Sequence, residues 1–361
     1  MKEFFRNALL WTGVSVSCLL SFAIVTRFLK GTAGSEGGGK REGGSVRNSV
    51  TLLAFGDVNL GRLVGKRILG DEIRYPFEKI SLKSGSSDIV FANLESQLSD
   101  QKGETQDPVH NMIFTGPPDG ALSLTSFGFT VVSTANNHAY DYGKSALLET
   151  LNHLDDENIA HVGTARSQEE LYEPIMFEKN GIRFAFFAAT DLMNFEGGWH
   201  QYVAMTDTSK LFPAIRDAAS AVDVVVVSVH GGDEYADEPT EHIRTFDEEC
   251  VHQGATIVLG HHPHVPYGVE KIGRSYIFHS LGNFVFYQPQ LFWTQLSYAV
   301  QLTIERNDDS AVSVTSVSFV PLKAGYQPSL LADSASLAVL QERVQSVSNI
   351  PITLTMKGYL N

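Results

Sequence analysis

The chain has 361 residues, 43% hydrophobic and only 19% charged, which excludes wholesale disorder and allows a sizeable core. A formal charge of −14 gives no electrostatic basis for binding nucleic acid, so no nucleic-acid partner is expected. Two cysteines, Cys18 and Cys250, are too few for a disulfide framework.

The charge is unevenly spread: residues 1–49 carry seven Lys/Arg and three Glu, which leaves −18 on residues 50–361. Residues 7–26 contain no formal charge, and as a helix they span roughly 30 Å, the thickness of a bilayer core. They read as a single transmembrane anchor within residues 1–30. A cleaved signal peptide is the alternative, because Lys2 and Arg6 precede the run, but the run exceeds most such segments and no small-x-small site follows it. Cys18 raises a lipoprotein reading, with a poor lead-in at Ser15-Val16-Ser17. The flanking charges mildly favour a cytoplasmic C-terminal side. Residues 31–49, with seven glycines, read as a flexible linker.

From Val50 onward, apolar runs alternate with helix-patterned intervals. Thr51–Phe55, Asp88–Ala92, Thr130–Ser133, Arg183–Phe187, Asp223–Val227 and Thr256–Leu259 read as buried strands of an α/β domain. Ser145–Asp156, Ser209–Val222 and Thr240–Gly254 read as helices, each with Ser, Thr or Asp near its start. Ser275–Phe286, Leu296–Glu305 and Ala311–Leu322 read as consecutive antiparallel strands, suggesting a second sheet. The domain is assigned to residues 50–325, with a C-terminal extension over 326–361.

The chemistry lies after the strands: Gly56-Asp57, Asn93-Leu94-Glu95, Asn136-Asn137-His138, His230-Gly231-Gly232 and Gly260-His261-His262-Pro263-His264. In open α/β sheets, loops at the carboxyl ends of strands converge on the ligand. Each segment alone has a plainer reading: a turn cap for Asp57, a helix start for Glu95, a turn for Asn137 and His138, a core histidine for His230. Three imidazoles within four residues have little purpose in packing, and Pro263 stiffens a loop from which His262 and His264 can reach neighbouring cations. Carboxylates, a carboxamide and imidazoles form a mixed N/O set suited to Mn, Fe or Zn, with enough ligands for two ions. Arg62 is a candidate local cation for an anionic ligand or, equally, a solvated surface residue. His279, inside a strand-like run, reads as core.

Six ordered motifs, Gly56–Arg62, Ala92–Glu95, Ala135–Gly143, His230–Pro239, Gly260–His264 and Ser280–Phe286, resemble the CapA-type poly-γ-glutamate capsule synthesis proteins. That family is related to the calcineurin-like metallophosphoesterases. The resemblance covers about residues 50–325 and implies a four-layer α/β/β/α sandwich, with an extracytoplasmic domain tethered to the cell membrane. It also implies that Asp57 and His264 bind one divalent metal, that Asn137, His230 and His262 bind another, and that Glu95 bridges them. His138 would contact a phosphoryl oxygen or protonate a leaving group. Asn59 stands where the usual pattern has histidine, which with Glu95 in place of an aspartate would weaken the first metal site, and Gly231 stands where closer relatives often carry tryptophan, which would widen the cleft or alter what stacks there.

The function expected from this resemblance is a membrane-anchored component of poly-γ-glutamate synthesis or export, working with capsule-synthase membrane subunits on an anionic polymer. A metal-dependent phosphoesterase acting on a phosphorylated substrate outside capsule synthesis is the alternative, and a metal-free binding module is a third reading. The −18 on the domain opposes simple electrostatic capture of polyglutamate unless metals or a cation such as Arg62 intervene.

Overall fold

A computed structural model of the chain describes residues 48–83 and 87–355. The expected anchor, and all but the last two residues of the linker, lie outside the described residues. Among those described, no helix is long and apolar enough to cross a membrane.

In chain order the first half runs β1 (Ser49–Val58), α1 (Arg62–Leu69), β2 (Ile89–Leu94), β3 (Gln97–Leu98), β4 (Thr115–Gly116), α2 (Gly120–Phe127), β5 (Val131–Ser133), α3 (Gly143–Asp156) and β6 (Ala160–Val162). It continues with β7 (Ile175–Lys179), β8 (Ile182–Thr190), α4 (Thr208–Ala221), β9 (Val224–His230), α5 (Glu241–His252), β10 (Ile257–His261), β11 (Val269–Ile272) and β12 (Ser275–Phe278). The last elements are β13 (Asn283–Val285), β14 (Leu296–Arg306), β15 (Val312–Lys323), β16 (Ser329–Leu330) and α6 (Ser334–Ser346). The fold is mixed α/β.

Two sheets dominate. One has the order β16-β15-β14-β1-β2-β5-β6, and the other β11-β12-β10-β9-β8-β7. Successive side chains of a strand point to opposite faces, so a strand covered on both sides reads as a continuous apolar run. In β1, Val50, Leu52 and Ala54 face the core shared by both sheets, while Leu53 and Phe55 face a second cluster that includes Val64 of α1 and Leu124 of α2. In β9, Val224 and Val226 join the shared core, while Val225, Val227 and Val229 pack with Leu211 and Ile215 of α4 and Phe246 of α5. The layers are therefore helices, sheet, sheet and helices.

Helix starts follow side-chain caps: Asp207 accepts from Ser209 N–H, Thr240 from Ile243 N–H and Asp333 from Ser336 N–H. α6 sends Leu340 and Val344 into the shared core, so residues beyond 325 contribute directly to it.

The expectation of three consecutive antiparallel strands in a separate sheet is corrected. β14 and β15 are antiparallel, but they join β1 in the first sheet, whereas β12 lies parallel to β10 in the second. The run read as one strand over 275–286 divides: β12 ends at Phe278, and β13 lies parallel to the end of β1. Gly282, at φ +71°, permits the turn by which the chain crosses between sheets. β14 flanks Ser49–Ala54 of β1, and β13 takes over that edge at Asp57.

Candidate metal centre

Parallel register brings the polar strand ends side by side: Asp57 opposite Asn93 and Asn283, and His230 opposite both His261 and Thr190. Asp57, Glu95, His230, His261, His262 and His264 are all buried, with Asp57, Glu95 and His230 at 0% exposure. His264 Nδ1 lies 3.3 Å from Asp57 Oδ2, and His264 Nε2 lies 3.6 Å from Glu95 Oε1. Glu95 Oε1 is 4.0 Å from His230 Nε2, which is 2.8 Å from Asn137 Oδ1. The His230 and His262 rings are 4.9 Å apart. The structure thus brings Asp57, Glu95, Asn137, His230, His262 and His264 into one cluster.

Supporting residues fix the orientation of this cluster. Asn283 Nδ2 donates to Gln288 Oε1 and Thr294 O, so its Oδ1 must accept from His264 Nδ1, at 3.0 Å. That bond places the proton on Nδ1 and leaves the Nε2 lone pair, facing Glu95, available to a cation. Asn93 Nδ2 donates to Asp57 Oδ1 at 2.8 Å, and Asn136 Nδ2 donates to Asn93 Oδ1 at 3.1 Å. His261 Nδ1 lies 3.1 Å from Asp57 Oδ1. The histidine loop is strained: His262 has φ +96° and His264 φ +60°, conformations disfavoured for side chains with a Cβ and typical of functional sites.

Electrostatics set the protonation states. Burial pushes the Asp57 carboxyl up, but the adjacent His261 and His264 imidazoles outweigh it and hold the group well below its ordinary value. Glu95 is raised well above its ordinary value by burial and by Asp57, Glu234 and Asp141. Burial, with His262 next in importance, holds His230 well below its ordinary value, and burial with His264 pushes His262 down to about 3. Both imidazoles are therefore neutral at pH 7, the state in which they ligate metals.

Asp57 Oδ2, Glu95 Oε1, His261 Nε2 and His262 Nδ1 are buried without a hydrogen-bond partner. Leaving such groups unsatisfied costs about 1–3 kcal/mol each, so a cluster of them is the chemistry of a ligand-binding site. Ligand atoms of Asp57, Glu95 and His264 lie within 4.8 Å of one another, as do those of Glu234, His262 and His264. The donor set fits divalent cations.

Beside this cluster, His138 Nδ1 is 2.8 Å from Asp141 Oδ2, which also accepts from Phe114 N–H. Asn194 joins His138 to the cluster, accepting from Asn137 Nδ2 at 3.0 Å while its own Nδ2 lies 3.3 Å from His138 Nδ1. The Phe114 ring stacks on His138 at 4.1 Å and carries the Arg62 guanidinium on its plane at 4.6 Å. Arg62 Nη2 donates to Asn111 O, and the guanidinium charge acts on both Glu95 and Asp141. Asn59 is turned into a backbone bend, its Oδ1 accepting from Gly61 N–H at 2.8 Å. Gly231 does not open the cleft: a Cβ there would meet Asp191 Cβ and Ile243 Cδ1, both at 2.7 Å, so the space of a side chain is already filled.

A family model described as "Bacterial capsule synthesis protein PGA_cap" matches residues 51–288, which contain every residue of this cluster. The chain belongs to that family. A curated relative, "PGA biosynthesis protein CapA" of Bacillus subtilis (strain 168), is 32% identical over 77% of this chain and 75% of its own length. "Capsule biosynthesis protein CapA" of Bacillus anthracis is 28% identical over 73% of this chain and 66% of its own length. Among solved structures, the Haemophilus influenzae NAD nucleotidase NadN is similar with a TM-score of 0.42 and 11% identity. That similarity covers 85% of this chain and 64% of the other, so the chain spans less than two thirds of that protein.

Residues outside the sequence-based site set also matter here: Asn93, His261, Asn194 and Asn283. Asn93 and His261 sit inside motifs already singled out, at alternate positions whose direction the register decides. Asn283, from β13, lies within the Ser280–Phe286 motif, whereas Asn194, from the loop after β8, carries no local signal. His279 is a buried histidine held by Asp247 at 3.0 Å and Glu270 at 3.3 Å.

Proposed function

We propose that this protein is a membrane-anchored component of poly-γ-glutamate or related capsule-polymer synthesis or export, built on a metallophosphoesterase-type scaffold with a dinuclear divalent-metal site. The observation that carries the reading is the cluster of Asp57, Glu95, His230, His262 and His264, with its orphaned buried atoms, in a chain of the capsule synthesis family. Asp57 and His264 would hold one cation and Asn137, His230 and His262 the other, with Glu95 between them, the ions being Mn, Fe or Zn. Bound cations would supply positive charge that polarises an anionic group of the substrate. Arg62, fixed over Phe114 and adding a cation near Glu95 and Asp141, would orient a carboxylate or phosphate of an anionic polymer or phosphorylated substrate. The anchor in residues 7–26 would tether the domain at the extracytoplasmic face beside capsule-synthase membrane subunits. Deleting the gene in its own host should abolish cell-associated capsule polymer. The intact chain should restore it, whereas His262→Ala or removal of residues 1–30 should not; an unchanged capsule in the deletion strain would refute the proposal.

A second reading, a metal-dependent phosphoesterase on a substrate outside capsule synthesis, is favoured by the His138–Asp141 pair. An imidazole oriented by a buried carboxylate is placed to hold a proton for a departing oxygen. Release of aryl alcohol from an aryl phosphate ester by the Mn-loaded chain, with a normal capsule in the deletion strain, would select this reading.

A further inference from the structure

Asp57, Glu95 and His264 offer a first cation three ligand atoms within 4.8 Å of one another, fewer than the four to six that Mn, Fe or Zn takes. Asn59, next along the end of β1, is committed to the Gly61 N–H. Opposite it, Glu234 places a carboxylate oxygen within 4.8 Å of both His262 and His264, and His262 Nδ1 is buried with no partner. Glu234 is held there by its neighbour. Tyr235, at φ +63°, donates its backbone N–H to Pro263 O at 2.9 Å, tying this segment to the histidine loop. The Tyr235 hydroxyl accepts from Gln288 Nε2 at 3.1 Å, and Gln288 Oε1 accepts from Asn283, the residue that orients His264. A left-handed non-glycine backbone costs about 1–3 kcal/mol and persists only where its surroundings enforce it. Here the enforced turn presents Glu234 to the two imidazoles.

We propose that Glu234 is a direct ligand of the metal centre, adding its carboxylate, on the side facing His262, to the divalent cation of the Mn, Fe or Zn class that His264 holds with Asp57 and Glu95. The inference rests on the dinuclear reading above and adds a carboxylate from the segment after β9 to it.

Mn(II) titration of the full chain, followed by low-temperature electron paramagnetic resonance, tests the proposal. The wild type should take up two Mn with an exchange-coupled spectrum. Glu234→Gln, isosteric and held by the backbone bond of Tyr235, should keep the wild-type urea midpoint. It should also weaken one Mn roughly tenfold or more and leave an uncoupled six-line signal at one equivalent. Glu234→Asp, charged but one methylene shorter, should fall between the two. Two tightly bound, coupled Mn in Glu234→Gln would overturn the proposal while leaving the dinuclear site standing, and so would a loss of Mn affinity that merely tracks a lowered urea midpoint. A wild type that binds no Mn would overturn the dinuclear reading and this proposal together.

Discussion

Gly56→Ala tests how the site is assembled, because Gly56 immediately precedes Asp57 where β13 closes against β1. A Cβ at this position would lie 1.7 Å from Gly282 O and 2.8 Å from Gly282 C. Both atoms are backbone, so no rotamer change relieves the clash, and the two chains must part by more than an ångström. That separation breaks the bonds from Asp57 N–H to Gly282 O (3.0 Å) and from Asn59 N–H to Val285 O (2.8 Å). Each is worth about 1 kcal/mol net, and overpacking adds about 1–3 kcal/mol, for a loss of about 3–5 kcal/mol. Against a typical stability of about 5–15 kcal/mol the loss is severe. Because β13 also carries Asn283, which fixes the His264 tautomer, the variant should bind Mn more weakly even where folded. Urea unfolding of the full chain followed by tryptophan fluorescence measures the first effect. Gly273→Ala is the control: its added Cβ meets nothing within 4 Å, and its φ of +59° confines the cost to about 1–2 kcal/mol of backbone strain. A Gly56→Ala midpoint within about 1 kcal/mol of wild type would refute the argument that close backbone approach builds the site.

The buried imidazoles should make the metal-free protein less stable in acid than it would be without them. The His262 imidazole is pushed down to about 3 and His230 is also well below its ordinary 6.5, so below pH 6.5 the unfolded chain binds protons at these sites that the folded one does not. Glu95, Asp141 and Asp247, raised above their ordinary values by burial, have the opposite sign and take up protons on folding. Comparison with His262→Asn isolates the imidazole: from pH 6.5 to 4.5 the metal-free wild type should lose up to about 1.4 kcal/mol per pH unit more than the variant, and equal pH slopes of urea stability in chelator would contradict it. His138→Ala should keep its bound metal by elemental analysis, yet lose about 10²- to 10⁴-fold in any ester hydrolysis the wild type shows; equal rates would remove His138 from the chemistry. Leu340→Ala truncates a fully buried side chain of α6 and should lower stability by about 2–5 kcal/mol in urea titration, whereas a value near zero would mean that α6 is not part of the core.

The strands that build the sandwich were legible because their covered faces leave unbroken apolar runs, and the polar residues that follow each run marked the functional edge. Helices with side-chain caps were legible for the same local reason, Thr208–Ala221 and Glu241–His252 falling within two residues of the expected spans. What one local window does not encode is pairing. The 275–286 run looks like one strand, yet the bend at Gly282 carries its last residues into the other sheet, and only that crossing reveals Asn283 as the partner of His264. The same holds for Asn194, whose loop reaches His138 only after β8 takes its place beside β9. Side-chain direction was the other hidden quantity: Asn59 has the right position in sequence for a ligand, but it turns its amide oxygen back to Gly61 N–H. Glu234 reaches the centre because a left-handed Tyr235 swings its segment over the histidine loop.

Anomalous diffraction from a crystal of the full chain grown with Mn(II) bears most directly on the convergence of the strand ends on cations. Two peaks about 3.5–4 Å apart, one within bonding distance of Asp57 and His264 and the other of His230 and His262, with Glu95 between them, is the predicted result. No density at that cluster under saturating Mn, or Mn bound only elsewhere on the molecule, would contradict it.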